Sequence, residues 1–203
     1  MPTQVVVIHG GDPFETYQDY LTYLKNYRVE SIDYFKRKDW KSSLQEKLGD
    51  NFDVIAPQMP NKKNARYLEW KIWFDKLIPF LNDGVILIGH SLGGIFLAKY
   101  LAENVFPKKI SGVFLVAAPF DDSESDYPLV DFALPESLEK FSNQVLKIFI
   151  YASKDDKVVP FSDFEKYKRA LPTATATVFK DRQHFGQLEF PELIKQIEVL
   201  SNK

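Results

Sequence analysis

The chain has no cysteine among its 203 residues. Disulfides, thiolate metal sites and cysteine nucleophiles are therefore excluded together. Histidine is nearly as scarce, with 3 copies. Three separated imidazoles without a thiolate make a poor metal set, so neither a metal nor an organic cofactor is expected. No apolar run approaches the roughly 18 residues that a membrane span needs. Charge of one sign is also missing: 26 basic residues face 28 acidic ones, for a formal net charge of −2. A nucleic-acid binder normally shows a strongly basic face, so that class is set aside. The one basic cluster, Lys36-Arg37-Lys38, runs at once into Asp39 and Trp40 and reads as a solvated helix start. No basic segment precedes the first apolar run, so no signal peptide is expected and the cytoplasm is the expected compartment.

What is present has the size of one domain, able to bury about 70% of its unfolded surface. Short runs rich in Val, Ile and Phe recur at Gln4–Ile8, Phe52–Ala56, Gly84–Ile88, Gly112–Ala117, Leu146–Tyr151 and Ala174–Phe179. All but the last are nearly continuous in apolar residues, as strands buried on both faces of a parallel sheet are. Helical patterns fill the gaps over 39–49, 67–81, 94–105, 163–171 and 190–200. Strands alternating with crossover helices predict an α/β doubly wound sheet. The polar, proline-punctuated stretch 121–143 reads as an excursion from that scheme.

The chemistry centres on Gly89-His90-Ser91-Leu92-Gly93-Gly94, placed where a buried strand stops and a helix starts. A serine raised on a strained turn there is a nucleophile elbow. Residues two before and two after it would collide with strand and helix unless they are glycine. The stretch lacks the lysine and the spacing of phosphate-binding loops. The helix N-terminus beyond offers unpaired N–H groups, and the Leu92 N–H is the expected oxyanion donor.

A serine nucleophile needs a base. His90 adjoins the serine and reads as a packing residue. His9 ends the first strand and reads as shaping the neighbouring loop. His184, between the last strand and the last helix, is left as the base, in the chain order Ser, Asp, His. The acid is sought in Ala152-Ser153-Lys154-Asp155-Asp156-Lys157, after the fifth strand. Asp156 is preferred and Asp155 is expected to shape the turn, with Asp121 and Asp122 one strand earlier as rivals.

Five pieces of the chain together resemble a known group: "VVVIHGG" at 5–11, "NFDVIAPQMPN" at 51–61, "ILIGHSLGG" at 86–94, "ASKDDKVVPF" at 152–161 and "HFGQLEF" at 184–190. These are similar to the small serine hydrolases of the α/β-hydrolase superfamily, in the branch of retinoblastoma-binding protein 9 and YdeN. That resemblance implies a three-layer α/β-hydrolase fold. Its sheet would be reduced to six parallel strands in the order 2-1-3-4-5-6, with helices on both faces. It also implies Ser91 as nucleophile, His184 as base and Asp156 as acid, with esterase-like activity.

The segment after "VVVIHGG" is longer than the family pattern. A helical insert at about 13–38 carries Phe14, Tyr17, Tyr20, Tyr23 and Tyr27 at near-helical spacing. It is expected to be an aromatic packing stripe, or else a cover on the active site. The second oxyanion donor is expected to be the Gly11 N–H, with the Asp12 N–H as alternative. The Asp12 side chain is expected to cap the helix after Pro13. The expected function is carboxylesterase-like hydrolysis of a small-molecule ester or thioester through an acyl-enzyme within one domain, 1–203. The alternatives are a low-turnover interaction module on the same fold and acyl transfer to an acceptor other than water. Activity is expected to fall as the pH drops through the range where an imidazole protonates.

Overall fold

The computed structural model describes residues 1–124 and 128–201. Residues 125–127, inside the predicted excursion at 121–143, lie outside the described set. Six strands form one fully parallel sheet in the order β2-β1-β3-β4-β5-β6. They are β1 (Thr3–Ile8), β2 (Phe52–Ile55), β3 (Val85–His90), β4 (Ile110–Val116), β5 (Ile148–Ser153) and β6 (Thr175–Phe179). Every residue of β3 is buried, whereas the edge strand β6 has none that is. This explains why five runs are nearly continuous in apolar residues and the sixth alternates.

Two cores follow from the pleat, because successive side chains on a strand face opposite ways. On one face Val6, Ile8, Leu87, Val113, Leu115 and Ile150 pack against three helices. These are α3 (Tyr67–Leu77), α4 (Leu92–Glu103) and α6 (Phe161–Ala170), together with the short α5 (Glu139–Asn143). On the other face Val5, Val7, Ile86, Ile88, Phe114 and Phe149 pack against α2 (Leu44–Leu48), α7 (Pro191–Ser201) and Trp40. This is the three-layer arrangement, with helices on both faces of the sheet. Among the described residues no helix is long and apolar enough to cross a membrane.

Several boundaries differ from the sequence expectation for identifiable reasons. The helix expected from residue 94 begins at Leu92, so Gly93 and Gly94 lie inside it. The helix expected over 67–81 leaves α geometry at Ile78, where Pro79 forces a 3₁₀ turn. The 39–49 segment opens as a 3₁₀ turn capped by Asp39, and only Leu44–Leu48 is α-helical.

Asp12 does not cap the following helix. That helix, α1 (Tyr17–Asn26), begins further on, where Thr16 and Asp19 form a reciprocal capping box. The Asp12 carboxylate instead accepts from Lys63 Nζ at 2.8 Å. The insert is thus only partly helical, with α1 followed by a 3₁₀ turn at Ile32–Lys36. Nothing on α1 is buried. Its aromatic stripe packs largely on itself, Phe14 against Tyr23 at 5.1 Å and Tyr23 against Tyr27 at 5.3 Å between ring centroids.

Candidate active site

The carboxyl ends of β1, β3, β5 and β6 bring Gly10-Gly11, Ser91, Asp155-Asp156 and His184 to one edge of the sheet. In open α/β sheets ligands bind at that edge. Ser91 sits between β3 and α4 with φ 56°, in the left-handed region that costs a non-glycine residue about 1 kcal/mol or more. Neighbouring backbone holds it there. Ser91 N–H donates to the Val116 carbonyl at 2.9 Å, and Gly94 N–H donates to the Ser91 carbonyl at 2.8 Å. The flanking glycines are required by close approach. A Cβ at Gly89 would lie 2.3 Å from the Gly93 carbonyl oxygen, and one at Gly93 would lie 2.3 Å from that of Ile8.

The loop after β1 rests against this turn. A Cβ built at Gly10 would stand 3.1 Å from Ser91 Cβ, and one at Gly11 would stand 3.2 Å from Leu92 Cδ2. Gly10 therefore lies against the serine, and Gly11 lies between the Lys62 carbonyl and the Leu92 side chain. The Asp12 N–H is already committed, donating to the Lys62 carbonyl at 2.8 Å. Of the two donors weighed from the sequence, Asp12 is therefore the less available to a ligand.

His184 Nδ1 lies 2.9 Å from Asp156 Oδ2. The Asp156 side chain is only 4% exposed. Its other oxygen accepts the N–H groups of Val158 (2.8 Å) and Val159 (3.1 Å). Asp155 does different work. It accepts the Ser153 hydroxyl and the Gln183 N–H, bracing the turn between β5 and the His184 loop. Those hydrogen bonds, the one from Ser153 foremost, hold its carboxyl below the usual range. Asp121 and Asp122 are turn residues here. Asp121 binds Ser123 and Lys166, and Asp122 accepts the Leu129 N–H.

The other two imidazoles have both ring nitrogens engaged. His9 Nδ1 is 2.6 Å from the Gly10 carbonyl, and its Nε2 accepts the Met59 N–H at 2.9 Å. Burial lowers its pKa, and Lys62 and Lys41 lower it further. His90 Nε2 meets the His184 carbonyl at 2.8 Å, and its Nδ1 meets Lys41 Nζ at 3.3 Å. Burial, then Lys41 and His184, keep His90 far below the ordinary imidazole pKa. The link from Lys41 has no local signal in the sequence, since 49 positions separate the two residues.

Ser91 and His184 line one cavity of about 610 Å³, together with Gly11 and Leu92. Phe14, Tyr23 and Tyr27 of the insert and Pro119, Leu129 and Val158 supply apolar wall. Lys41, Lys62 and Lys63 bring positive charge to the lining. Among the described residues no cluster of three His, Asp or Glu side chains could hold a metal ion.

A family model described as "Serine hydrolase" matches residues 34–189, more than half of the chain. The chain belongs to the serine hydrolase family. A rat relative named "Serine hydrolase RBBP9" is 28% identical over 157 residues, covering 73% of this chain and 78% of its own. "Putative hydrolase YdeN" of Bacillus subtilis is 26% identical over 189 residues, covering 92% and 86%. The solved structure of the ydeN gene product from B. subtilis superposes with a TM-score of 0.75 at 20% identity. That superposition covers 99% of this chain and 100% of the other. A carboxylesterase structure from the thaumarchaeon Nitrososphaera gargenis superposes with a TM-score of 0.65 at 16% identity, covering 99% and 92%. Both structural likenesses speak for the α/β-hydrolase fold. The family match begins at residue 34, so β1 and α1 precede the matched region.

Proposed function

We propose that the protein is a carboxylesterase-like hydrolase that cleaves a small ester or thioester through an acyl-enzyme on Ser91. One observation carries the proposal. A serine under backbone strain and a histidine bonded to a buried carboxylate line the same cavity. The family membership supports the reaction class. The likeness to the Nitrososphaera gargenis carboxylesterase supports the ester bond as the target.

In this reading Ser91 Oγ attacks the acyl carbonyl carbon while His184 Nε2 takes its proton. The C–O or C–S bond to the leaving group then breaks, and the leaving group takes that proton from His184. Water attacks the acyl-serine by the same route, and the free acid departs. Asp156 accepts from His184 Nδ1–H, which leaves the Nε2 lone pair free for the serine and stabilises the imidazolium. The N–H groups of Leu92 and Gly11 hold the oxyanion. Losing one such donor costs about 3 kcal/mol of barrier. Phe14, Tyr23 and Tyr27 cover the acyl pocket and set the chain length it accepts.

The test is labelling with a fluorophosphonate, followed by turnover of activated esters of increasing acyl length. Wild type should label and Ser91→Ala should not. A folded wild type that neither labels nor turns over any ester would sink the reading and favour a binding module on this fold.

A further inference from the structure

The residues Asp39-Trp40-Lys41 are absent from the chemical steps above, yet they grip the loop that carries His184. Trp40 is 2% exposed, and its Nε1–H donates to the Phe185 carbonyl at 3.1 Å. Its backbone N–H donates to the Gln187 carbonyl at 2.9 Å. Lys41 Nζ reaches His90 Nδ1 at 3.3 Å, and His90 Nε2 reaches the His184 carbonyl at 2.8 Å. The gripped loop is strained. Gln183 and Phe185, on either side of His184, have φ of 47° and 54°, where non-glycine residues persist only if their surroundings hold them.

The hydrogen-bond chain has a direction. An ammonium carries donors and no acceptor. Its bond to His90 Nδ1 therefore needs a lone pair on that nitrogen. The proton of a neutral His90 must then sit on Nε2, where it can be donated to the His184 carbonyl. Other charges around this chain favour the same state. Asp39 contacts Lys41 Nζ and opposes the loss of its proton, which burial promotes. The Lys41, His184 and His9 charges all disfavour a protonated His90, and Lys62 acts on both Lys41 and His9. The Lys41 ammonium also lies 4.9 Å from the Trp40 ring centroid, so the two grips reinforce each other.

We propose that Asp39-Trp40-Lys41 is a clamp that positions the general base. Lys41 selects the His90 tautomer, and His90 and Trp40 together hold the backbone on which His184 stands. Trp40, Lys41 and His90 are positioning residues that do not touch the reacting atoms. The inference rests on the reading of His184 as the base. It also gives the 3₁₀ turn before α2 a function beyond closing the core.

The experiment uses the full chain with Lys41→Met, Lys41→Gln and Trp40→Phe. It reads kcat and KM on an activated ester, the fluorophosphonate labelling rate, and the ¹⁵N resonances of the His90 ring. Wild type should show a protonated Nε2 and a bare Nδ1 on His90. Lys41→Met should mix the two tautomers and lower kcat and the labelling rate roughly tenfold or more, as misplacement of a reacting group does. KM should stay within about twofold, because the cavity wall is otherwise intact. Lys41→Gln can still donate to Nδ1 without charge and should recover most of the rate. Trp40→Phe, which keeps an aromatic ring but loses the Nε1–H donor, should lower kcat in the same way. A wild-type His90 with its proton on Nδ1, or a Lys41→Met protein with unchanged ring signals and kcat, would overturn the clamp. The ring signals need no turnover. They decide the clamp even if wild type proves unreactive, an outcome that would count against the hydrolase reading alone.

Discussion

Asp155 and Asp156 are neighbours with separable duties, and Asp156→Asn probes that separation. The Asp156 carboxylate gives one oxygen to His184 Nδ1 and the other to the Val158 and Val159 N–H groups. An asparagine can keep its carbonyl oxygen on the two backbone donors. Its NH₂ then faces Nδ1, which must become an acceptor. The imidazole proton moves to Nε2, and the nitrogen that should take the serine proton no longer has a lone pair. The same geometry therefore spares the fold and removes the base. The expected loss in kcat is on the order of 10³–10⁴-fold, or about 4–5 kcal/mol of barrier. Asp155→Asn keeps an acceptor for Ser153 and Gln183 and leaves the His184 bond alone. Its expected loss is under about tenfold, within the cost of a weakened neutral hydrogen bond. The assay is kcat on an activated ester beside fluorophosphonate labelling, with thermal melts to show that both variants are folded. A folded Asp156→Asn protein retaining more than a tenth of wild-type kcat would refute the assignment, as would a greater loss in Asp155→Asn.

Three further outcomes are expected. Gly93→Ala places a Cβ 2.3 Å from the Ile8 carbonyl oxygen and 2.7 Å from that of His9, both backbone atoms. It should cost about 3 kcal/mol or more in urea unfolding, and a loss under about 1 kcal/mol would show that the elbow relaxes freely. His9 and His90 have lowered pKa values in the folded state, so the unfolded chain binds more protons just below the ordinary imidazole pKa. Stability should thus be full above about pH 6.5 and decline as the pH falls toward 5, by up to about 1.4 kcal/mol per unit for each group. His90→Gln should flatten that slope, and an unchanged slope would remove His90 as its source. Excising 14–35 should change acyl-length preference while Ser91 still labels; unchanged selectivity in a folded protein would remove the cover.

Strand content was legible because burial on both faces leaves runs of Val, Ile and Phe with little alternative reading. The ends were less legible where composition and pairing disagree. β3 continues through Gly89 and His90 because both still pair in register, with Ile8 and with Leu115 and Val116. Composition places a turn there. Gly93 and Gly94 look like helix breakers, yet they sit in the first turn of α4. Close approach to Ile8 and Ala118 outweighs their poor helix propensity. The tyrosines of the insert do follow a helical period, but their spacing could not say what the stripe covers. In the structure it packs on itself and sends Phe14, Tyr23 and Tyr27 to the cavity wall. Ser91 was legible from its glycines, since a local steric demand leaves a local trace. Asp156 could be separated from Asp155 only weakly, because the difference lies in which carboxylate meets a histidine 28 residues away. Lys41 left no trace at all, because a lysine before an amphipathic helix is ordinary surface composition.

The three imidazoles show how a site can assign roles without varying residue type. A proton acceptor for a serine needs one ring nitrogen unengaged and a counter-charge for the imidazolium. His9 spends both nitrogens on Gly10 and Met59, and His90 spends both on His184 and Lys41. Each would have to break a hydrogen bond to take a proton, in surroundings that already disfavour the charge. His184 alone among them has a carboxylate on Nδ1, and it stands on the wall of the cavity that Ser91 enters. The lysines contribute to this division, because burial lowers His9 and His90 first and Lys41 then lowers both further. Removing Lys41 should therefore do more than loosen a loop. It should also bring His90 closer to protonation, next to a base whose ring centroid is 5.0 Å away. A second cation at that distance opposes the imidazolium needed in the transition state. Lys41→Met activity should then fall more steeply than wild type on the acid side, whereas a purely mechanical defect would lower the profile without changing its shape.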